Sequence, residues 1–124
     1  MIRTLIVIGA ALAAIAVVLG AFGAHALEQR LSERALNTWH TGVQYHFIHA
    51  LGLLLIAALW SQLATGWATA AAVAFVTGIL LFAGSLYGLA LGAPRMLGAV
   101  APVGGTLFIL GWVGVAIAAW RAGG

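Results

Sequence analysis

The stretch ALNTWHTGVQYHFIHALGLLLIAALWSQLATGWATAAAVAFVTGILLFAGSLYGLALGAP, Ala35 to Pro94, runs for 60 residues without one Asp, Glu, Lys or Arg. A helix that crosses a bilayer needs about 20 mostly apolar residues, so this stretch holds two spans and a turn. Outward from it, 24 uncharged residues (Thr4–Leu27) precede and 25 (Met96–Trp120) follow. Four spans in 124 residues leave almost nothing for an aqueous domain. The predicted fold is all-α: an integral membrane bundle of four transmembrane helices in a single domain, 1–124, with spans at about 4–25, 36–60, 68–91 and 98–120.

Composition agrees. Soluble domains carry about 25% charged residues; here the figure is 6%, with 65% hydrophobic residues and a mean hydropathy of +1.16. Seven formal charges cannot make the polar shell of a water-soluble core. The net charge of +3 comes from five scattered arginines without a basic cluster, which argues against nucleic acid as a partner. The chain has no Cys, excluding disulfides and thiolate metal sites. Met1 to Ala26 has the outline of a signal peptide, with Arg3, an apolar run and Ala24-His25-Ala26. The run from Leu5 to Ala24 exceeds the usual 7–15 residues of such a segment, so it is read as a retained first span.

In span 1, Gly9, Ala13, Ala16 and Gly20 share one helical face. Lipid gives little hydrophobic drive between helices, so small residues that let backbones approach are what pack them. Ala26 to Leu31 reads as a connector, and Ser32 as an N-cap with Glu33 in the first turn. Span 3 carries Gly84, Gly88 and Gly92, two overlapping GxxxG steps that predict a packing face, open to a homo-oligomer if span 3 is peripheral. In span 4, Pro102 either lies in the first turn or kinks the helix, beside Gly104 and Gly105. Trp60, Trp67 and Trp120 mark one membrane edge and Trp39 the other. Arg30, Arg34 and Arg95 stand against Arg3 and Arg121, and this count of three to two favours both termini outside the cytoplasm only slightly.

Polar side chains inside a bilayer are costly and often functional. Here span 2 gathers them: His40, Gln44, Tyr45, His46 and His49, with His25 at the end of span 1. At 100° per residue His46 and His49 lie about 60° apart, and His40 points away from His49. The favoured reading is hydrogen bonding between helices; a bound ligand such as haem, quinone, lipid headgroup or metal is the alternative, and a proton relay the third. Tyr87 needs a partner for its hydroxyl, which span 2 can supply. Enzyme chemistry has little support: Glu28 and Glu33 belong to one exposed segment, and neither a hydrolytic triad nor a phosphate loop is visible. No catalytic, metal or cofactor residue is assigned.

Four blocks, GAFGAHAL (Gly20–Leu27), WHTGVQYHFIHAL (Trp39–Leu51), SLYGLAL (Ser85–Leu91) and GAVAPVGGTLFILGW (Gly98–Trp112), occur in that order. Over nearly its whole length the chain resembles the small bacterial inner-membrane family typified by YgdD and YwdK, and is similar to a small eukaryotic mitochondrial transmembrane protein. The resemblance implies four transmembrane helices, one domain, the bacterial inner membrane and no established activity. The family positions it carries over are Gly20, Phe22, Gly23, Ala24 and His25; Trp39, Gln44, Tyr45, His49 and Ala50; Ser85, Leu86 and Tyr87; and Pro102, Gly104, Gly105 and Trp112. His40 and His46 are not among them, which singles out His25 and His49 as the polar pair.

Three functions follow as expectations. The first is a non-enzymatic accessory or interaction protein, with the lipid bilayer as its surroundings and a homo-oligomer or larger membrane complex as its assembly. The second is a binding module whose His25, Gln44, Tyr45 and His49 hold a ligand near the 26–38 surface. The third is a small transporter, disfavoured because no span contains a carboxylate.

Overall fold

A computed structural model describes residues 1–123. Four helices of 26 residues form the molecule: α1 Ile2–Leu27, α2 Glu33–Ala58, α3 Thr65–Ala90 and α4 Leu97–Ala122, each long and apolar enough to cross a membrane. At 1.5 Å per residue each is about 39 Å long, against a hydrocarbon core of about 30 Å. α1 runs on through His25 to Leu27, where the sequence places a connector. Ser32 then caps α2, its Oγ accepting from the Ala35 N–H at 3.1 Å. α2 ends at Ala58 because Leu59 leaves helical geometry, and a 3₁₀ turn, Trp60–Gln62, follows. α3 starts three residues earlier than the sequence reading; the Ala64 N–H is held by the Ala118 carbonyl of α4 at 2.8 Å, which fixes where the chain turns in. Pro102 lies in the second turn of α4, inside the helix rather than at its start.

α1 packs along α2, α2 along α3, and α3 along α4. The two middle helices therefore carry the core, and α1 and α4 flank them. The face predicted for α1 is the one that packs: Leu5, Gly9 and Ala16 are buried, and a Cβ at Gly9 would sit 3.0 Å from Leu54 and 3.1 Å from the Ala50 carbonyl. On α4, Gly104, Phe108, Gly111, Gly114 and Ala118 form the buried stripe. Trp67 and Trp120 are exposed at the end where the chain termini lie.

Two corrections concern the remaining markers. Trp39 is 5% exposed; it lies over Gly23 of α1 and donates to the Leu19 carbonyl at 3.0 Å, so it locks helices rather than lining a membrane edge. Within the described chain the Gly84/Gly88/Gly92 series does not pack one helix on another as a face. A Cβ at Gly84 would meet nothing within 4 Å, Gly88 accommodates Leu97 of its own hairpin, and Gly92 has φ +97°. Gly92 terminates α3: its N–H reaches the Leu89 carbonyl and the Ala93 N–H the Gly88 carbonyl, a Schellman end in which a left-handed residue is required. Each helix of the outer and inner layers α1 and α3 also contains a π turn, Leu19–Gly23 and Ile79–Ala83, which no feature of the periodicity announces.

Candidate functional site

Of the four residues put forward as a polar cluster, the structure brings two together. Tyr45 and His49 lie one turn apart on α2 with their rings stacked at 6.2 Å. Gln44 is exposed on another face of α2, and His25 is exposed near the end of α1. His49 sits 16 residues into α2 from its Glu33 end, about 24 Å along the axis, whereas His25 lies in the last helical turn of α1, beside the connection to α2. The expected His25–His49 pair does not form, and depth is the reason.

His49 is instead the centre of an aromatic cluster. It is 3% exposed. Its ring stacks on Phe108 of α4 at 3.6 Å and 8°, and meets the edge of Phe75 of α3 at 5.2 Å. Its Nδ1 lies 2.7 Å from the Tyr45 carbonyl and its Nε2 3.0 Å from Trp112 Nε1. A carbonyl only accepts and an indole N–H only donates, so the tautomer is settled: Nδ1–H donates to Tyr45, and Nε2 accepts from Trp112. Both nitrogens of a neutral imidazole are engaged. A metal at Nε2 would have to displace the indole.

Phe75, fully buried, makes this arrangement possible. Its ring lies between Gly52 of α2 and Gly111 of α4; a Cβ at Gly52 would come within 2.9 Å of it. Glycine on both sides lets a Phe stand where two helices would otherwise close. Phe108 fills the corresponding socket at Gly78, and the backbone of Phe82 lies directly against Gly104. Outside these rings, Tyr45, His49, Phe82, Phe108 and Trp112 wall a groove of about 550 Å³ between α2 and α4.

His46 lies about 60° around α2 from His49, turned toward α1 and α3. It is 3% exposed, and its Nδ1 lies 2.8 Å from the Tyr87 hydroxyl. This is the span 2 partner that Tyr87 required. A Cβ at Gly42 would come within 2.8 Å of the Tyr87 ring, so the glycine admits the tyrosine. His46 Nε2 is buried without a hydrogen-bond partner, with the Leu12 backbone beside it. Ser85, just past the π turn of α3, returns its hydroxyl to the Leu81 carbonyl inside it. Among the described residues, no three His, Asp or Glu side chains converge as a metal site would require.

Sequence reasoning passed over His46 and Trp112 as partners. One signal for Trp112 was available: a tryptophan in the middle of a span has an indole N–H far from headgroups, and His49 is an acceptor at similar depth.

The family described as "Protein of unknown function (DUF423)" matches residues 19–105. The chain belongs to the DUF423 family. Among relatives of this DUF423 protein, the UPF0382 membrane protein YwdK of Bacillus subtilis is 47% identical over 118 residues, covering 94% of this chain and 96% of the relative. A UPF0382 membrane protein of Staphylococcus epidermidis is 42% identical over 122 residues, covering 98% and 99%. One from Haemophilus influenzae is 38% identical over 106 residues, covering 86% and 85%. No solved structure matches. The resemblance read from the four sequence blocks is thereby shown, and the DUF423 chain is a membrane protein of a family without an established activity.

Proposed function

We propose that this protein is a non-enzymatic accessory protein of the bacterial inner membrane that acts through contacts with other membrane proteins. The observation that carries this reading is the use of the deep polar groups. His49, Trp112, Tyr87 and Trp39 all bond across helices of the same chain, so they hold the bundle together instead of facing a substrate. Nearly all of the chain lies within its four spans, so a partner meets it in the plane of the bilayer or at short loops. Inner-membrane placement is supported by the helical architecture, since outer-membrane spans are closed β-barrels. The arginine count, three against two, slightly favours Arg30, Arg34 and Arg95 in the cytoplasm and both termini outside it.

Mild solubilisation of the tagged protein from its native membrane, followed by native mass spectrometry, tests the role. Co-purified membrane subunits in fixed ratio are expected; a lone chain that turns over a substrate would overturn it. A C-terminal reporter active only in the cytoplasm would reverse the orientation.

A second reading rests on the groove beside His49, whose volume of about 550 Å³ lies within the range of small-molecule sites. It makes the protein a binding module for an apolar ligand. A stoichiometric small mass retained in the native spectrum would favour this reading; its absence from a fully active complex would favour the first.

A further inference from the structure

The outward face of α2 is not built like a surface that meets only lipid. Thr41, Gln44, Ile48, Leu51, Leu55 and Ala58 follow each other at alternating steps of three and four, and all six are exposed. That is a 3.5-residue repeat, the seam of a left-handed helix pair. Five of the six fit hydrocarbon: Thr41 returns its hydroxyl to the Asn37 carbonyl, and the other four are aliphatic. Gln44 does not fit. Its amide makes no side-chain hydrogen bond among the described residues.

Its depth decides how much that matters. Gln44 lies 11 residues from one end of α2 and 14 from the other, about 16 and 21 Å. With a core about 30 Å thick, the amide lies at least about 7 Å inside hydrocarbon whichever end of α2 is flush with the surface. An unpaired amide in an alkane-like medium is strongly disfavoured, and the bilayer interior offers no water to relieve it.

We infer that α2 is the interface of a parallel homodimer in which the Gln44 side chains of two copies hydrogen-bond to each other. The partner must both donate and accept at this depth, and a carboxamide is its own complement. Membrane geometry adds a second reason. Copies of one chain insert with the same orientation, so a two-fold axis relating them stands normal to the bilayer. α2 then meets α2 in parallel, and each seam residue faces its own copy at equal depth. A single polar residue in an otherwise apolar seam fixes register in this way.

The flanking positions fit the same arrangement. In a parallel pair the residue before a core position faces the residue five further along the other helix, which sets His40 against Tyr45 of the second copy. Both are exposed, and neither the His40 ring nor the Tyr45 hydroxyl has a hydrogen bond among the described residues. This self-association is independent of the accessory role: it requires no other subunit, and other subunits do not require it.

The chain has no Cys, so single-Cys variants of the full chain report contacts cleanly by oxidation in native membranes. Ile48→Cys, Leu51→Cys and Leu55→Cys are expected to form disulfide-linked dimers. Leu80→Cys and Ile109→Cys, more exposed still on α3 and α4, are expected to stay monomeric. Gln44→Leu should weaken dimerisation about tenfold in detergent without lowering monomer thermal stability, since the side chain is exposed and makes no side-chain hydrogen bond among the described residues. Equal cross-linking at Leu80 and Leu51, cross-linking of Leu51→Cys to a different protein, or a dimer unmoved by Gln44→Leu would each overturn the proposal. Loss of co-purified subunits with the dimer intact would instead count against the accessory role alone.

Discussion

The α1–α2 and α3–α4 seams use the same device with different fillers. Between α1 and α2, glycines make room mostly for Leu54, Val43 and Trp39, flexible aliphatic ends and one indole, with the Ala50 carbonyl a looser 3.1 Å neighbour at Gly9. Between α3 and α4 they make room for Phe75, Phe108 and the backbone of Phe82. A side-chain tip can turn away from an added methyl, whereas a backbone cannot. The two seams therefore differ in how much error they tolerate, although both are glycine-lined and both lie in lipid. What holds helices in a bilayer is close contact and hydrogen bonding, so the quality of the fit at each glycine sets stability, not the number of glycines.

The sharpest test of that contrast is a single methyl on each seam. Gly104→Ala drives a Cβ into the Phe82 backbone nitrogen and Cα, and α3 and α4 must move apart. We expect a loss of about 3 kcal/mol, the upper part of the range for overpacking, read by SDS titration of the protein in mild detergent. Gly9→Ala meets Leu54 and the Ala50 carbonyl at 3.0–3.1 Å and should cost about 1 kcal/mol, since a few tenths of an ångström relieve it. Equal losses at the two positions would remove the distinction between the seams.

One hydrogen bond from α4 to α2 and one from α2 to α1 sharpen it further. Trp112→Phe leaves His49 Nε2 buried without its donor, at an expected cost of about 1–2 kcal/mol. Combining it with His49→Ala should cost clearly less than the sum of the single changes, because the two share one bond and one stacked cluster. Full additivity would show that the bond contributes nothing. On the other side, Trp39→Phe removes a donor from the Leu19 carbonyl, which the Ala24 N–H already satisfies through the π turn. No acceptor is orphaned there, and a smaller loss, about 0.5–1 kcal/mol, is expected by the same titration.

The two seams were not equally legible in the sequence. Four spans could be read from uncharged runs, because lipid admits almost no charge. The α1 stripe of Gly9, Ala16 and Gly20 could be read from spacing, because a straight helix maps spacing onto a face. The same reasoning fails for Gly84, Gly88 and Gly92, which share a spacing but serve different ends, one of them a helix stop set by a positive φ. The polar cluster was half legible. Tyr45 and His49 do adjoin, but His25 was joined to them by motif membership, and motifs carry no depth. His46 and Trp112 needed the packing itself, since only Phe75 in its two glycine sockets brings α2 and α4 to the distance at which an indole reaches an imidazole.

The smallest effects test whether spacing alone ever suffices. His25→Ala and His49→Ala lie at different depths without a shared partner, so their effects on detergent melting should add within about 0.5 kcal/mol. A larger coupling would restore the pairing that the motif implied. Gly84→Ala sits in helix with open space around the new methyl, where alanine is favoured over glycine by up to about 1 kcal/mol. It should leave the protein unchanged or slightly more stable by the same titration. A loss comparable to that at Gly104 would mean that something outside the chain packs against this glycine, and the helix-packing face first read from its spacing would then belong to an assembly rather than to the monomer.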